Sequence, residues 1–243
     1  MANPVLTRSL NSIHGETSAA GIEIPHLAAD RMTVEGTMAR TLQLFVLLLL
    51  TATATWVSGL AILAIPAMFI GLGLALWASF SRTVRPGVIV AYAAVEGVFL
   101  AGLSQLFEMA YPGIVMNAVI ATLATAGAIF FAYNRGLIKV TNKFRQMMMF
   151  ALIGYMGFGL INLGVSMFTG NSVYNSSFGW IAALIGVGIA SFTLILDLAD
   201  IEEGVGMGAP KDTEWRAAFG LMVSLVWMYT EILRLLAILR GDD

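Results

Sequence analysis

Four ionisable side chains stand inside or at the edge of stretches that are otherwise apolar: Glu96, Asp197, Glu231 and Arg234. Such a group costs roughly 2.5–3.5 kcal/mol at the centre of a membrane helix on insertion scales, so it faces a bundle interior or water and marks an ion or proton route. Three of the four are acids. Carboxylates gathered in low dielectric cannot all stay ionised, and a proton is shared among them near neutral pH. Carboxylate oxygens are also the natural ligands of a hard cation such as calcium, which makes Asp197 and Glu231 candidate calcium contacts. Cation binding and pH sensing are thus expected from the same residues. Each acid also has a structural reading. Glu231 has Arg234 three residues on, on the same helix face, as an internal ion-pair partner. Glu96 reads equally as a hydrogen-bonded structural carboxyl. Asp197 opens an acidic run with Asp200, Glu202 and Glu203, as an interfacial acid would.

The elements that position these groups follow from composition. Of 243 residues, 58% are hydrophobic and only 12% charged, and mean hydropathy is +0.84. That is about half the charge of an ordinary soluble domain, too little polar surface to cover a core, so the chain reads as an integral membrane protein. The first 36 residues are polar and mixed and lack the apolar core of a signal peptide. They read as a largely disordered cytosolic tail with a short interfacial helix near Ile22–Leu27, ahead of a transmembrane domain over residues 37–243.

Seven apolar runs follow, approximately Thr41–Gly59, Ala61–Phe80, Val88–Phe107, Gly113–Tyr133, Met147–Phe168, Phe178–Asp197 and Ala217–Leu239. Each is about the 20 residues a helix needs to cross some 30 Å of hydrocarbon. Backbone groups in lipid must be satisfied within the segment, and the runs lack the alternation of a membrane barrel. The fold class is therefore all-α, a polytopic seven-helix bundle. Between the first two runs, Ser58-Gly59 ahead of Pro66 reads as a turn, because one span of forty residues is too long.

Basic residues orient the bundle. With the N-terminus inside, the tail (Arg8, Arg31, Arg40) and the second (Arg82, Arg85), fourth (Arg135, Lys139, Lys143, Arg145) and sixth loops (Lys211, Arg216) hold eleven of the thirteen Lys and Arg. The other three loops hold none. This bias is what the positive-inside rule gives for seven helices with a cytoplasmic N-terminus and an external C-terminus. Counted at about 1.5 Å per residue from the inner ends, Glu96 lies about 13 Å deep, Glu231 about 20 Å and Asp197 only about 3–5 Å. Glu96 and Glu231 are compatible in height, and Asp197 meets Glu231 only if a helix end shifts. Small residues at fourfold spacing (Ala182, Gly186, Ala190), and Gly154, Gly157 and Gly164 on the fifth helix, suggest close packing.

Several chemistries are excluded. The two histidines, His14 and His26, precede the first span and there is no cysteine, which removes zinc hydrolases and serine–histidine proteases. No lysine lies in any predicted span to hold retinal, and there is no phosphate-binding loop for nucleotide hydrolysis. An enzyme is not expected, nor a resident cofactor. Net charge is -2, with no basic surface for nucleic acid.

The segments Asp197-Leu-Ala-Asp-Ile-Glu-Glu-Gly-Val205, Trp215-Arg-Ala-Ala-Phe-Gly-Leu221 and Trp227-Met-Tyr-Thr-Glu-Ile-Leu-Arg-Leu-Leu236, with Met32-Thr-Val34 and Val95-Glu-Gly-Val-Phe-Leu-Ala-Gly102, resemble the bacterial branch of the Bax inhibitor-1 family. The resemblance covers nearly the whole chain after residue 30. It implies a central helix surrounded by the others, a bacterial cytoplasmic membrane, and a pH-sensitive calcium leak. It also implies a proton-sharing pair of aspartates on the last two helices, matched here by Asp197 and Glu231, the latter longer by one methylene. Arg82, Arg85 and Arg234 are the candidates for the arginine near that pair. The expected function is a pH-gated calcium leak whose partners are the bilayer and calcium ions. The alternative is a membrane-embedded regulator that modulates a protease or another membrane protein and moves no ion.

Overall fold

The computed structural model describes residues 31–176 and 178–241. The tail before Arg31, including the helix expected near Ile22–Leu27 and both histidines, lies outside the described residues. Among the described residues there are seven long helices: α1 (Val34–Ser58), α2 (Ala64–Phe80), α3 (Pro86–Ala110), α4 (Ile114–Asn134), α5 (Asn142–Thr169), α6 (Gly179–Gly206) and α7 (Thr213–Gly241). All seven are long and apolar enough to cross a membrane, α2 together with the short 3-10 turn Ala61–Leu63 before it. The end of the bundle where α1 begins is termed the near end; the α1–α2, α3–α4 and α5–α6 connections and the end of α7 form the far end.

The helix boundaries have local causes. Thr33 caps α1, its hydroxyl oxygen accepting from the Gly36 N–H at 2.9 Å. The helix stops at Gly59, whose φ of 68° is the left-handed geometry a glycine takes without strain. Thr141 caps α5 in the same way as Thr33 caps α1. The chain thus turns between α1 and α2, as Ser58-Gly59 suggested.

Three expected limits move outward. α1 starts at Val34 rather than Thr41, α5 at Asn142 rather than Met147, and α6 runs nine residues past Asp197. Hydropathy marks only the lipid-facing part of a helix, whereas the helix continues wherever polar partners secure its end. On α6 they do: Arg145 pairs with Asp200 and, at 2.8 Å, with Glu203, while the Tyr133 hydroxyl donates to Glu202 at 2.6 Å. The boundary placed at residue 36 moves as well. Met32 is buried and its N–H bonds to the Ala209 carbonyl at 2.7 Å, so residues 31–36 belong to the bundle.

The central helix is α7, which packs on α1, α3, α4 and α6. Backbones come close where glycine leaves out a side chain. A Cβ at Gly97 of α3 would collide with the Thr51 hydroxyl and the Leu48 carbonyl of α1, and one at Gly102 with Ala64. On α6, Gly186 does the same against α5 and α7. Gly154, Gly157 and Gly164 on α5 instead meet nothing within 4 Å. That part of the small-residue reading is corrected: α5 presents these glycines outward, and Met148 is its one buried residue among those described.

Candidate functional site

Two antiparallel helices, α6 and α7, carry Asp197 and Glu231. Their register pairs Gly186 with Glu231 and Asp197 with the turn Gly220–Ser224. The two acids therefore face different levels of the central helix.

Asp197 lies nine residues from the near end of α6, or about 14 Å along the axis rather than the 3–5 Å expected. Its carboxylate accepts a hydrogen bond from the Ser224 hydroxyl of α7. Gly220 leaves the room for it: a Cβ there would stand 3.2 Å from Oδ1. Among the described residues no cation bonds to Asp197; Arg145 pairs with Asp200 and Glu203 of the acidic run beyond it. A hydroxyl can donate to a carboxylate and accept from a carboxylic acid, so this pair persists in both protonation states with different strength.

Glu231 is differently placed. It is 3% exposed and accepts from Arg234 at 3.0 and 2.9 Å and from the Trp227 indole N–H at 3.0 Å. The Arg234 guanidinium lies 4.6 Å from the centre of the Tyr174 ring, whose hydroxyl is 3.1 Å from that of Tyr155. Tyr155 in turn packs on Trp227 with ring centres 5.7 Å apart. The internal ion pair is thus present at Glu231, inside an aromatic wall. Beside it a cavity of about 410 Å³, lined also by Asn162 and Ser166, lies toward the far end.

No hydrogen bond joins Asp197 to Glu231. Ser224 and Glu231 are seven residues apart on α7, about 10 Å along the axis. Ala190 and Leu194 of α6 and Met228 of α7, all 0% exposed, fill the level between them. The residue brought to Asp197 is Ser224. Nothing in the sequence singled it out, since a hydroxyl in an apolar helix is usually satisfied by its own backbone.

Glu96 is buried on α3, where a Cβ at Gly71 of α2 would stand 3.3 Å from its Oε2. Tyr92 stacks edge-on against Phe219, and Ser104 bonds to Tyr229 at 2.7 Å. This register sets Glu96 level with residues 222–224, so it shares its height with Asp197 and not with Glu231. Arg82 and Arg85 stay at the near end, Arg85 over the Trp77 ring at 5.7 Å; Arg234 alone of the three arginines pairs with a membrane carboxylate.

Among the described residues no three acidic or histidine side chains come together around a metal. The arrangement instead offers two polar stations separated by a layer of buried apolar side chains. A family model described as Bax inhibitor 1 like matches residues 3–241 of the chain. No curated protein matches it.

Proposed function

The chain belongs to the Bax inhibitor 1 like family of membrane proteins, and from that membership we propose that it is a pH-sensitive cation leak, carrying calcium, with Asp197 as its proton switch. The observation that carries this reading is the Asp197 carboxylate inside the bundle, latched to the central helix by Ser224 and partnered by no base among the described residues. A hydrogen bond to an ionised carboxylate is roughly twice as strong as one to its neutral form. Ionised Asp197 therefore holds α6 against α7. Protonation weakens the latch, lets the Ala190, Leu194 and Met228 layer part, and joins the two stations through water. Dry apolar constrictions of this kind gate by excluding water. Calcium is the cargo, met in passing by carboxylate and hydroxyl oxygens, and no resident cofactor or catalysis enters the scheme. By the distribution of bases, the near end faces the cytoplasm, and the resemblance to the bacterial branch of the family points to a bacterial cytoplasmic membrane.

Purified protein in liposomes loaded with a calcium indicator tests this directly. Influx severalfold faster at about pH 6 than at about pH 8 is expected, from the weaker bond to the neutral carboxyl. Influx equal to that of protein-free vesicles at both values would overturn the leak and leave the regulatory role. Influx that is present but independent of pH would overturn the switch.

A further inference from the structure

Away from Asp197 and Glu231, the near end of the bundle holds a cavity of about 340 Å³ between the start of α1 and the start of α7. Arg31, Arg40 and Lys211 line it with Thr33, Gly36 and Glu214. Among the described residues none of the three bases forms an ion pair. Glu214 does not serve them. It is 2% exposed and accepts from both the Thr33 N–H and the Thr33 hydroxyl at 3.2 Å. Its carboxyl also occupies the space over Gly36 where a Cβ would otherwise stand. That acid is committed to holding the segment before α1 against α7, and the same contact fixes the walls of the cavity.

Two of the three bases are anchored, Arg40 by its side chain and Arg31 through its backbone. The Arg40 guanidinium lies 4.7 Å from the centre of the Trp215 ring. Arg31 is pinned by its bridge to Pro210 and by Met32 bonding to Ala209. Three cations against one buried, occupied acid leave an excess of positive charge. α1 and α7 both begin at this end, so the positive ends of their dipoles add to that charge. The other acids of these turns, Glu35 and Asp212, do not line the cavity. Planar guanidinium donors beside an ammonium suit the oxygens of a phosphate group, arginine bidentately and lysine as a point charge, and a doubly charged phosphate monoester offsets more of the excess positive charge than a single carboxylate does.

We propose that this cavity binds a phosphate group. Purified full-length protein in neutral detergent is titrated with dioleoyl phosphatidate, with dioleoylglycerol as the phosphate-free comparison, and separately with inorganic phosphate, and bound mass is read by native mass spectrometry. The site predicts that phosphate-bearing ligand is retained at least tenfold over dioleoylglycerol, and that the paired change Arg31→Gln with Lys211→Gln lowers retention at least tenfold. The equally charged pair Arg82→Gln with Arg85→Gln should leave it unchanged. Retention of phosphatidate alone identifies a lipid headgroup as the source; retention of inorganic phosphate as well identifies the phosphate itself. Equal losses in the two paired variants would reveal a diffuse basic surface and overturn the site, as would retention of neither phosphate-bearing probe. Both variants keep the Thr33–Glu214 contact, so the bundle is preserved, and either negative result leaves the Asp197 switch untouched.

Discussion

At the scale of single residues, the two acids of α6 and α7 separate by their partners. Glu231 is buried with Arg234, and removing one member of such a pair leaves the other uncompensated. Arg234→Gln is therefore expected to destabilise the protein by about 1–3 kcal/mol, discounted because Arg234 is 35% exposed, and Glu231→Gln added to it should restore most of the loss. Thermal unfolding in detergent, read as a double-mutant cycle, checks the coupling. Ser224→Ala acts on the other acid: with the latch removed, leak at about pH 8 should rise toward the wild-type level at about pH 6, because a carboxylate loses its charge-assisted bond. Indicator-loaded vesicles read that directly. The four charged positions were legible in the sequence because charge in an apolar run is costly and rare. Their partners were not, since Ser224, Trp227 and Tyr174 are residue types common in any membrane helix.

At the scale of elements, seven helices and their order could be read from apolar runs and the turn at Ser58-Gly59, but heights could not. Depth had to be counted from helix ends, and the ends of α1, α5 and α6 are set by caps and ion pairs that hydropathy does not register. α6 runs nine residues past Asp197, and the bond to Ser224 sets that acid level with Glu96 rather than at the end of its helix. The same limit affects packing: spacing alone proposed glycines on α5, while the close approaches are at Gly97, Gly102 and Gly186. Gly97→Ala should force α1 and α3 apart at a cost of about 1–3 kcal/mol, visible as a lowered midpoint of thermal unfolding, whereas Gly157→Ala should be neutral or slightly stabilising. Thinning the apolar layer is a different test of the same elements. Leu194→Ala should raise basal calcium influx at about pH 8 without abolishing its response to acid, because the constriction that excludes water is weakened while Asp197 still titrates.

At the scale of the whole molecule, the shortage of charge does two things. It commits the chain to the bilayer, and it leaves few groups that can respond to pH from within the bundle. Glu231 is balanced by Arg234, and the acidic run beyond Asp197 by Arg145 and Tyr133. Glu96, Asp197 and Glu214 remain without a base among the described residues; Glu214 holds Thr33 at the near end, and of the other two, both within the apolar runs, only Asp197 has its carboxylate bonded across to another helix, at Ser224. The central claim is that the proton on Asp197 sets whether α6 is held against α7. Its most direct test is calcium influx into liposomes carrying Asp197→Asn, measured beside wild type from about pH 8 to about pH 6. An amide bonds to Ser224 but never carries the charge, so influx in the variant should be independent of pH and close to the wild-type rate at the acidic end. A variant that keeps the wild-type dependence on pH would contradict the account and place the switch elsewhere, with Glu96 the next carboxylate to test.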